Sequence, residues 1–221
     1  MKKNFFAVAL LAIGLLAAVP YAQADTFNLT SCHISTGCPP EGTVFGTVTL
    51  LQVGTSVDFT VSLNNANRFV ETGAGGGELF LFNDAIAGST INTIATSPTT
   101  PAGGLSGFTN LPPVMADGTG TFTASVECTV ASDCNGGSAP TMNSLTFVVT
   151  NATLAQLETT NAAGNFFVAD ILCGPTVTGC AGQTGPVDAN ARTVPEPSTL
   201  LLLGSGLCAV GFWRQKKFMH E

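Results

Sequence analysis

The chain has 221 residues, of which 10% are charged and 45% hydrophobic, with a formal net charge of −7. Between Asp25 and Thr193 the imbalance sharpens, because two arginines and no lysine face 12 acidic residues, a balance of −10 with histidine neutral. Abundant apolar residues with so little charge argue against intrinsic disorder, and an acidic surface repels nucleic acid and anionic lipid.

Lys2 and Lys3 form a positive n-region, Phe5 to Val19 an apolar h-region, and Ala22-Gln23-Ala24 a small-residue cleavage site. That order is the signature of a secretory signal peptide, a short apolar helix spanning residues 1–24. The mature chain is expected to start at Asp25, after handling by the Sec machinery and signal peptidase, in an oxidising compartment. The 169 residues from Asp25 to Thr193 suit one domain with a real core and are few for two.

Strand rhythm dominates this stretch. Val44, Val48 and Leu50 fall on one face, opposite Thr43, Thr47 and Thr49, and Val57, Phe59, Val61 and Leu63 alternate with Asp58, Thr60 and Ser62. Leu79 to Phe82 and Phe166 to Ala169 are apolar on both faces, which predicts central strands covered on both sides. Phe122, Ala124, Val126, Cys128 and Val130 alternate with Thr121 to Thr129 and predict one continuous strand with Cys128 inward; Leu145, Phe147 and Val149 predict another. Turn chemistry at Gly73 to Gly77, Pro98 to Gly104, Pro112-Pro113, Asp117-Gly118 and Asn135-Gly136-Gly137 separates them. Only Thr153 to Glu158 reads as helix, with Thr153 and Gln156 at capping-box spacing. Residues Val177 to Thr193, rich in Gly, Thr, Ala and Asn, read as the domain's end running into a linker. The expected fold is all-β, an antiparallel β-sandwich or jelly-roll-like ectodomain over residues 25–193.

Six cysteines of this domain fall into three local pairs, Cys32 with Cys38, Cys128 with Cys134, and Cys173 with Cys180, while Cys208 lies in the terminal apolar segment. Sequence alone leaves the connectivity open. Local pairing is the preferred map, since each pair closes a short loop worth about 2.4 kcal/mol in the chain-entropy model. These spacings do not match a zinc site, and His33 is the only histidine of the domain, so no metal site is expected from the cysteines.

The composition changes abruptly after Val194. Pro195-Glu196-Pro197 precedes a 15-residue apolar segment, Thr199 to Trp213, that includes Leu200, Leu201, Leu202, Leu203, Gly204, Gly206 and Gly211. Arg214, Lys216 and Lys217 close it. A helix of this length spans about 22 Å against a hydrocarbon core of about 30 Å, so a short transmembrane helix is expected, with Pro197 at its start and the basic cluster on the cytoplasmic side. Gly204, Cys208 and Gly211 recur at helical spacing and leave one face open to a neighbouring helix or simply reflect glycine tolerance in membranes.

The run Val194 to Lys217 resembles the PEP-CTERM sorting signal of Gram-negative bacteria, with proline-glutamate-proline, a short glycine-containing span and a basic end in fixed order. Gln215 interrupts the basic cluster, and Phe218 to Glu221 extend beyond it. The resemblance, confined to Val194 to about Lys217 of the terminal tag at residues 194–221, implies that exosortase recognises Pro195, Glu196 and Pro197, that the membrane holds the C-terminal helix before processing, and that the protein crosses the inner membrane to the envelope, outer surface or extracellular matrix. It also implies company with exopolysaccharide and biofilm or floc formation.

No G-x-S-x-G elbow, H-E-x-x-H or phosphate-binding loop occurs, so His33 in the Cys32 to Cys38 loop reads as a loop residue rather than a catalytic base. Glu71, Glu78, Glu127, Asp133 and Asp170 are carboxylates that a fold could bring together, as glycoside hydrolysis requires, but no spacing singles out two. All 11 aromatic residues from Asp25 to Thr193 are phenylalanine, which argues against a sugar-stacking platform of Trp or Tyr. Calcium held by oxygen ligands at Asp117-Gly118 or Asp133 to Asn135 stays open. The expectation is a non-enzymatic surface or matrix protein without a resident cofactor, with a calcium-dependent carbohydrate-binding module as the alternative and a secreted glycoside hydrolase third.

Overall fold

The computed structural model describes residues 24–71, 78–136 and 142–193. Residues 1–23 of the signal segment, Ala22 among them, Gly73 to Gly77, Gly137, and the terminal segment from Val194 onward lie outside the described residues, whereas Ala24 is described. Fifteen strands run through the described chain: β1 (Ala24–Leu29), β2 (Ser31–Cys32), β3 (Gly46–Val53), β4 (Ser56–Leu63), β5 (Arg68–Phe69), β6 (Glu78–Phe82), β7 (Thr90–Ser97) and β8 (Leu105–Phe108), then β9 (Val114–Ala116), β10 (Gly120–Phe122), β11 (Ala124–Cys128), β12 (Ser144–Thr150), β13 (Phe167–Leu172), β14 (Thr184–Ala189) and β15 (Arg192–Thr193).

They form a six-stranded sheet in the order β15-β1-β3-β4-β12-β7 and a seven-stranded sheet in the order β2-β14-β13-β6-β11-β8, with β5 beside β13. β9 and β10 make a separate two-stranded unit. Every pairing between these strands is antiparallel.

The strongest alternations become half-buried strands. In β4, Val57, Phe59, Val61 and Leu63 are buried while Asp58, Thr60 and Ser62 are not, and β12 repeats the pattern with Leu145, Phe147 and Val149. These side chains share one core with Phe80, Phe82, Val126, Phe167 and Ala169 of the other sheet. Phenylalanine rings join the two: Phe59 lies 5.2 Å from Phe82, and Phe27 of β1 meets Phe167 edge-on at 4.9 Å.

The two doubly apolar strands, β6 and β13, are neighbours in the middle of the seven-stranded sheet. Their other face explains their composition. Leu81 and Val168 are buried there against Ala116 and Phe122 of the β9–β10 unit.

The structure corrects four readings of the sequence. The strand expected from Thr43 begins only at Gly46, where a side chain would come within 2.5 Å of the Ser62 carbonyl oxygen; Phe45 is buried and Val44 is half-buried. The strand expected through Val130 is two strands, because Thr123 breaks the line: residues 120–122 pair with β9 and residues 124–128 with β6 and β8. Cys128 does point inward, but Val130 is exposed and Ser125 is buried. The expected linker Val177 to Thr193 holds β14, buried from Gly185 to Ala189, and β15 on the edge of the other sheet.

The helix at Leu154–Leu157 forms as expected, with Gln156 Oε1 accepting the Thr153 N–H at 3.0 Å. Gln52 Oε1 on β3 accepts the Leu154 N–H at 2.9 Å and ties that helix to the sheet. Among the described residues no helix is long and apolar enough to cross a membrane.

All three cysteine pairs are bonded locally, Cys32–Cys38, Cys128–Cys134 and Cys173–Cys180. The first and third loops press together backbone to backbone. A side chain at Gly37 (φ 145°) would lie 2.7 Å from the Gly179 carbonyl oxygen, and one at Gly179 (φ 97°) 2.7 Å from that of Cys38, so both positions need glycine for space and for backbone angle.

Candidate functional site

β2 is short because the chain turns at once into the Cys32–Cys38 loop, and that turn places His33 over the edge of β14. Ser31 pairs with Asp188 across the β2–β14 ladder, and the His33 N–H donates to the Pro186 carbonyl at 3.0 Å. The side chains follow the backbone together. His33 Nε2 lies 2.7 Å from Asp188 Oδ2 and 3.1 Å from Ser31 Oγ. Asp188 is 1% exposed and His33 28%.

Burial pushes the Asp188 carboxyl above its ordinary range, while the charge of His33 and hydrogen bonds from His33 and Ser31 pull it back. Its Oδ1 is buried without a hydrogen-bond partner among the described residues. On the far side of the ring, a side chain at Gly118 would come 2.6 Å from His33 Nδ1, so the β9–β10 turn closes over the imidazole and tolerates only glycine.

Serine, histidine and aspartate are the residue types of a hydrolytic triad, but the geometry differs in the point that matters. A triad needs the hydroxyl on one ring nitrogen and the carboxylate on the other, so that the base accepts a proton from one side while held from the opposite side. Here both face Nε2, and Nδ1 meets backbone. An Nε2–H donated to Asp188 leaves no lone pair for Ser31, and the arrangement acts as a clamp on β2 rather than as a nucleophile and its base. His33 is therefore not the free loop residue that its position in sequence suggests. Its partner Asp188 was hidden in the segment read as a linker, and no spacing links the two.

The other carboxylates scatter, with one exception. Asp133 Oδ2 accepts the Gly103 N–H at 2.7 Å, Glu71 is bridged to Asn135, and Asp170 sits opposite Pro186. Glu127 stands directly across from Glu78 on β11 and β6. Burial, and then the neighbouring Glu78 charge, raises the Glu127 carboxyl above its ordinary value. Among the described residues no three His, Cys, Asp or Glu side chains gather to hold a metal ion, and Asp117 serves the turn whose Gly118 covers His33.

A cleft of about 550 Å³ opens beside the first disulfide, lined by Thr30, Ser31, Pro39, Pro40, Glu41 and Asn190 among others. Its hydroxyl, carboxylate and amide groups can hydrogen-bond a neutral polyhydroxyl ligand, while Phe45 forms buried floor.

The segment that carries the sorting signature begins where the described chain ends, at Thr193 on β15. Residues 193–217 match the family model of the PEP-CTERM protein-sorting motif. That motif makes the chain an exported protein sorted by exosortase and directed to the envelope or surface of a Gram-negative bacterium. No curated protein and no solved structure matches the chain.

Proposed function

We propose that the domain from Asp25 to Thr193 is a disulfide-pinned β-sandwich without catalytic activity. In this reading signal peptidase cuts after Ala24, exosortase acts at Pro195 to Pro197, and the released or re-attached domain serves as a structural or adhesive component of the cell surface or matrix, in contact with exopolysaccharide. The observation that carries it is the occupied histidine: the one imidazole of the domain is spent on a buried carboxylate, with its second nitrogen against backbone. The sandwich reading rests on the shared phenylalanine core between the two sheets.

A second reading, a carbohydrate-binding module with or without calcium, draws on the cleft at Thr30, Ser31, Glu41 and Asn190. The third, a glycoside hydrolase, draws on the Glu78 and Glu127 pair. One experiment separates them. The processed protein is incubated with a panel of glycans and ester substrates, with calcium or chelator, and scored for turnover and for co-sedimentation with the producer's own polysaccharide. Retention in the polysaccharide fraction with no turnover supports the proposal. Turnover abolished by Glu127→Gln supports the hydrolase, and saturable binding of a free oligosaccharide abolished by Glu41→Gln supports the module.

A further inference from the structure

The two sheets differ in what lies over their outer faces. On the seven-stranded sheet the β9–β10 unit covers Leu81 and Val168, and Ser125, opposite Leu81, is buried with them. On the six-stranded sheet the outward side chains of β1, β3, β4, β12 and β7 are all exposed or half-buried. Register decides what that open face displays. Thr26 of β1 stands opposite Thr49 of β3, Thr49 opposite Thr60 of β4, and Thr60 opposite Thr146 of β12, so four threonines form one row across four neighbouring strands. Two residues along, Asn28, Thr47, Ser62 and Ser144 form a second row in the same register. Ala95 and Ser97 of β7 extend the two rows.

Side chains on such a face stand about 4.8 Å apart across the strands and about 7 Å apart along them. Thr26 Oγ1 already reaches Thr49 Oγ1 at 3.4 Å. The face is also nearly free of charge. The domain has a balance of −10, yet Asp58 is the one ionisable side chain that these five strands turn outward. They turn no aromatic ring outward either.

Threonine offers a hydroxyl that both donates and accepts, together with a methyl group. A face built from it holds no cation for an acidic polymer and no ring on which a sugar would stack. Its match is a neutral chain whose own hydroxyls recur at a similar interval and whose C–H edges rest on the methyls. One sugar residue of an extended polysaccharide advances by close to the spacing between strands. The twist of about 20–25° from strand to strand favours a flexible chain that follows the sheet over a rigid plane.

We propose that the outer face of the six-stranded sheet is the docking surface for a neutral extended polysaccharide laid along the threonine row, an assignment that rests on the reading of the domain as a surface or matrix component. Each exposed hydrogen bond is worth little after water is displaced, so attachment needs many of them at once. Affinity therefore climbs with chain length, and short oligomers hold poorly. The cleft beside Glu41 differs in this respect, since a concave site suits a free oligosaccharide.

The test is co-sedimentation of the full chain, in detergent micelles, with the producer's own polysaccharide, with cellulose microfibrils and curdlan gel as neutral probes, and with alginate gel as the acidic one. The expected result is retention on the producer's polysaccharide and on a neutral probe, none on alginate, and no displacement by cellohexaose. Combining Thr49→Val, Thr60→Val and Thr146→Val keeps side-chain shape and strand preference, and should weaken retention about ten-fold with the melting temperature unchanged, as three hydrogen bonds at the low end of their usual worth require. Serine at the same positions should recover most of the loss, and Glu41→Gln should change nothing. A second measurement needs no variant: bound polymer should slow hydroxyl-radical oxidation of Leu51 and Val148 on this face relative to Met115 on the β9–β10 unit. Retention on the producer's polysaccharide that the valine variant leaves intact, or oxidation of Leu51 and Val148 that the polymer does not slow, overturns the docking surface and leaves the matrix reading standing. Displacement by cellohexaose together with loss in Glu41→Gln overturns it in favour of the cleft. Absence of retention on every polymer overturns the matrix reading and the docking surface with it.

Discussion

Replacing Phe59 tests whether the two sheets hold each other through a shared aromatic core. Phe59 is 1% exposed, stacks on Phe147 of its own sheet at 4.5 Å, and meets Phe82, Phe167 and Phe80 of the other sheet at 5.2, 6.1 and 6.4 Å. Truncation to alanine should cost about 3–5 kcal/mol, from lost transfer energy plus the cavity left among these rings. That number alone would not show where the ring makes its contacts. Phe59→Leu and Phe82→Leu keep most of the volume, and their double-mutant cycle isolates the cross-sheet share, expected at about 1 kcal/mol from the worth of an aromatic pair beyond its area. The assay is urea unfolding of the processed protein with its disulfides intact, and unchanged m-values confirm that the variants unfold through the same transition. A Phe59/Phe82 coupling within about 0.3 kcal/mol of zero, beside a clear Phe59/Phe147 coupling, would refute the idea that the sheets meet face to face at this point.

Three further outcomes are expected. Glu127→Gln should stabilise at pH 7 by less than about 1 kcal/mol, since the pair is partly solvated; the raised carboxyl contributes stability below its unfolded pKa and loses it as pH rises through the folded value, so the gain over wild type should vanish toward pH 4 in paired thermal melts. His33→Ala strips the buried Asp188 of its hydrogen-bonding partner and should cost about 3 kcal/mol at pH 7 and less at lower pH, as that raised carboxyl protonates; urea titrations showing equal cost at pH 7 and pH 4 would contradict the clamp. Removing the Cys173–Cys180 bridge by a double Cys→Ala change should cost about 2–4 kcal/mol, read as a shift in urea midpoint. The loss should exceed that for Cys128–Cys134, because the first loop's Gly37 leans on the third loop's Gly179.

What was legible in the sequence tracks how regularly a segment alternates. β4 and β12 carry strict period-two patterns, and β6 and β13 are apolar on both faces, so each could be read directly. β7 could not, since its isoleucines Ile91 and Ile94 are three apart and fit neither face of a flat strand. The structure resolves this with Thr93 at φ 54° and a shift of the β7–β12 register between Thr146 and Val148, where one extra residue is absorbed.

β14 was illegible for another reason. Thr184-Gly185-Pro186-Val187-Asp188-Ala189 contains a proline, a glycine and a charge in what becomes buried strand. Each is tolerated for a local reason: a side chain at Gly185 would lie 3.0 Å from the Ile34 Cα, Asp188 has His33, and Pro186 still offers its carbonyl to the His33 N–H. The sorting motif was fully readable because recognition there depends on residue order. The His33 and Asp188 contact was not, because 155 residues separate partners that only strand order brings together.

The β1–β15 pairing also sets the mechanics of the domain. The strands are antiparallel, so residue 24 and residue 193 leave the ladder at the same end, with Thr26 opposite Thr193. Tension applied between the two chain ends therefore opens the pair like a zipper, one hydrogen-bonded step at a time, instead of shearing the whole ladder at once. While both ends are anchored, such a pull strips two residues of β15 and leaves the six-stranded sheet otherwise intact. Once the chain is held from a single end, no force runs across that seam.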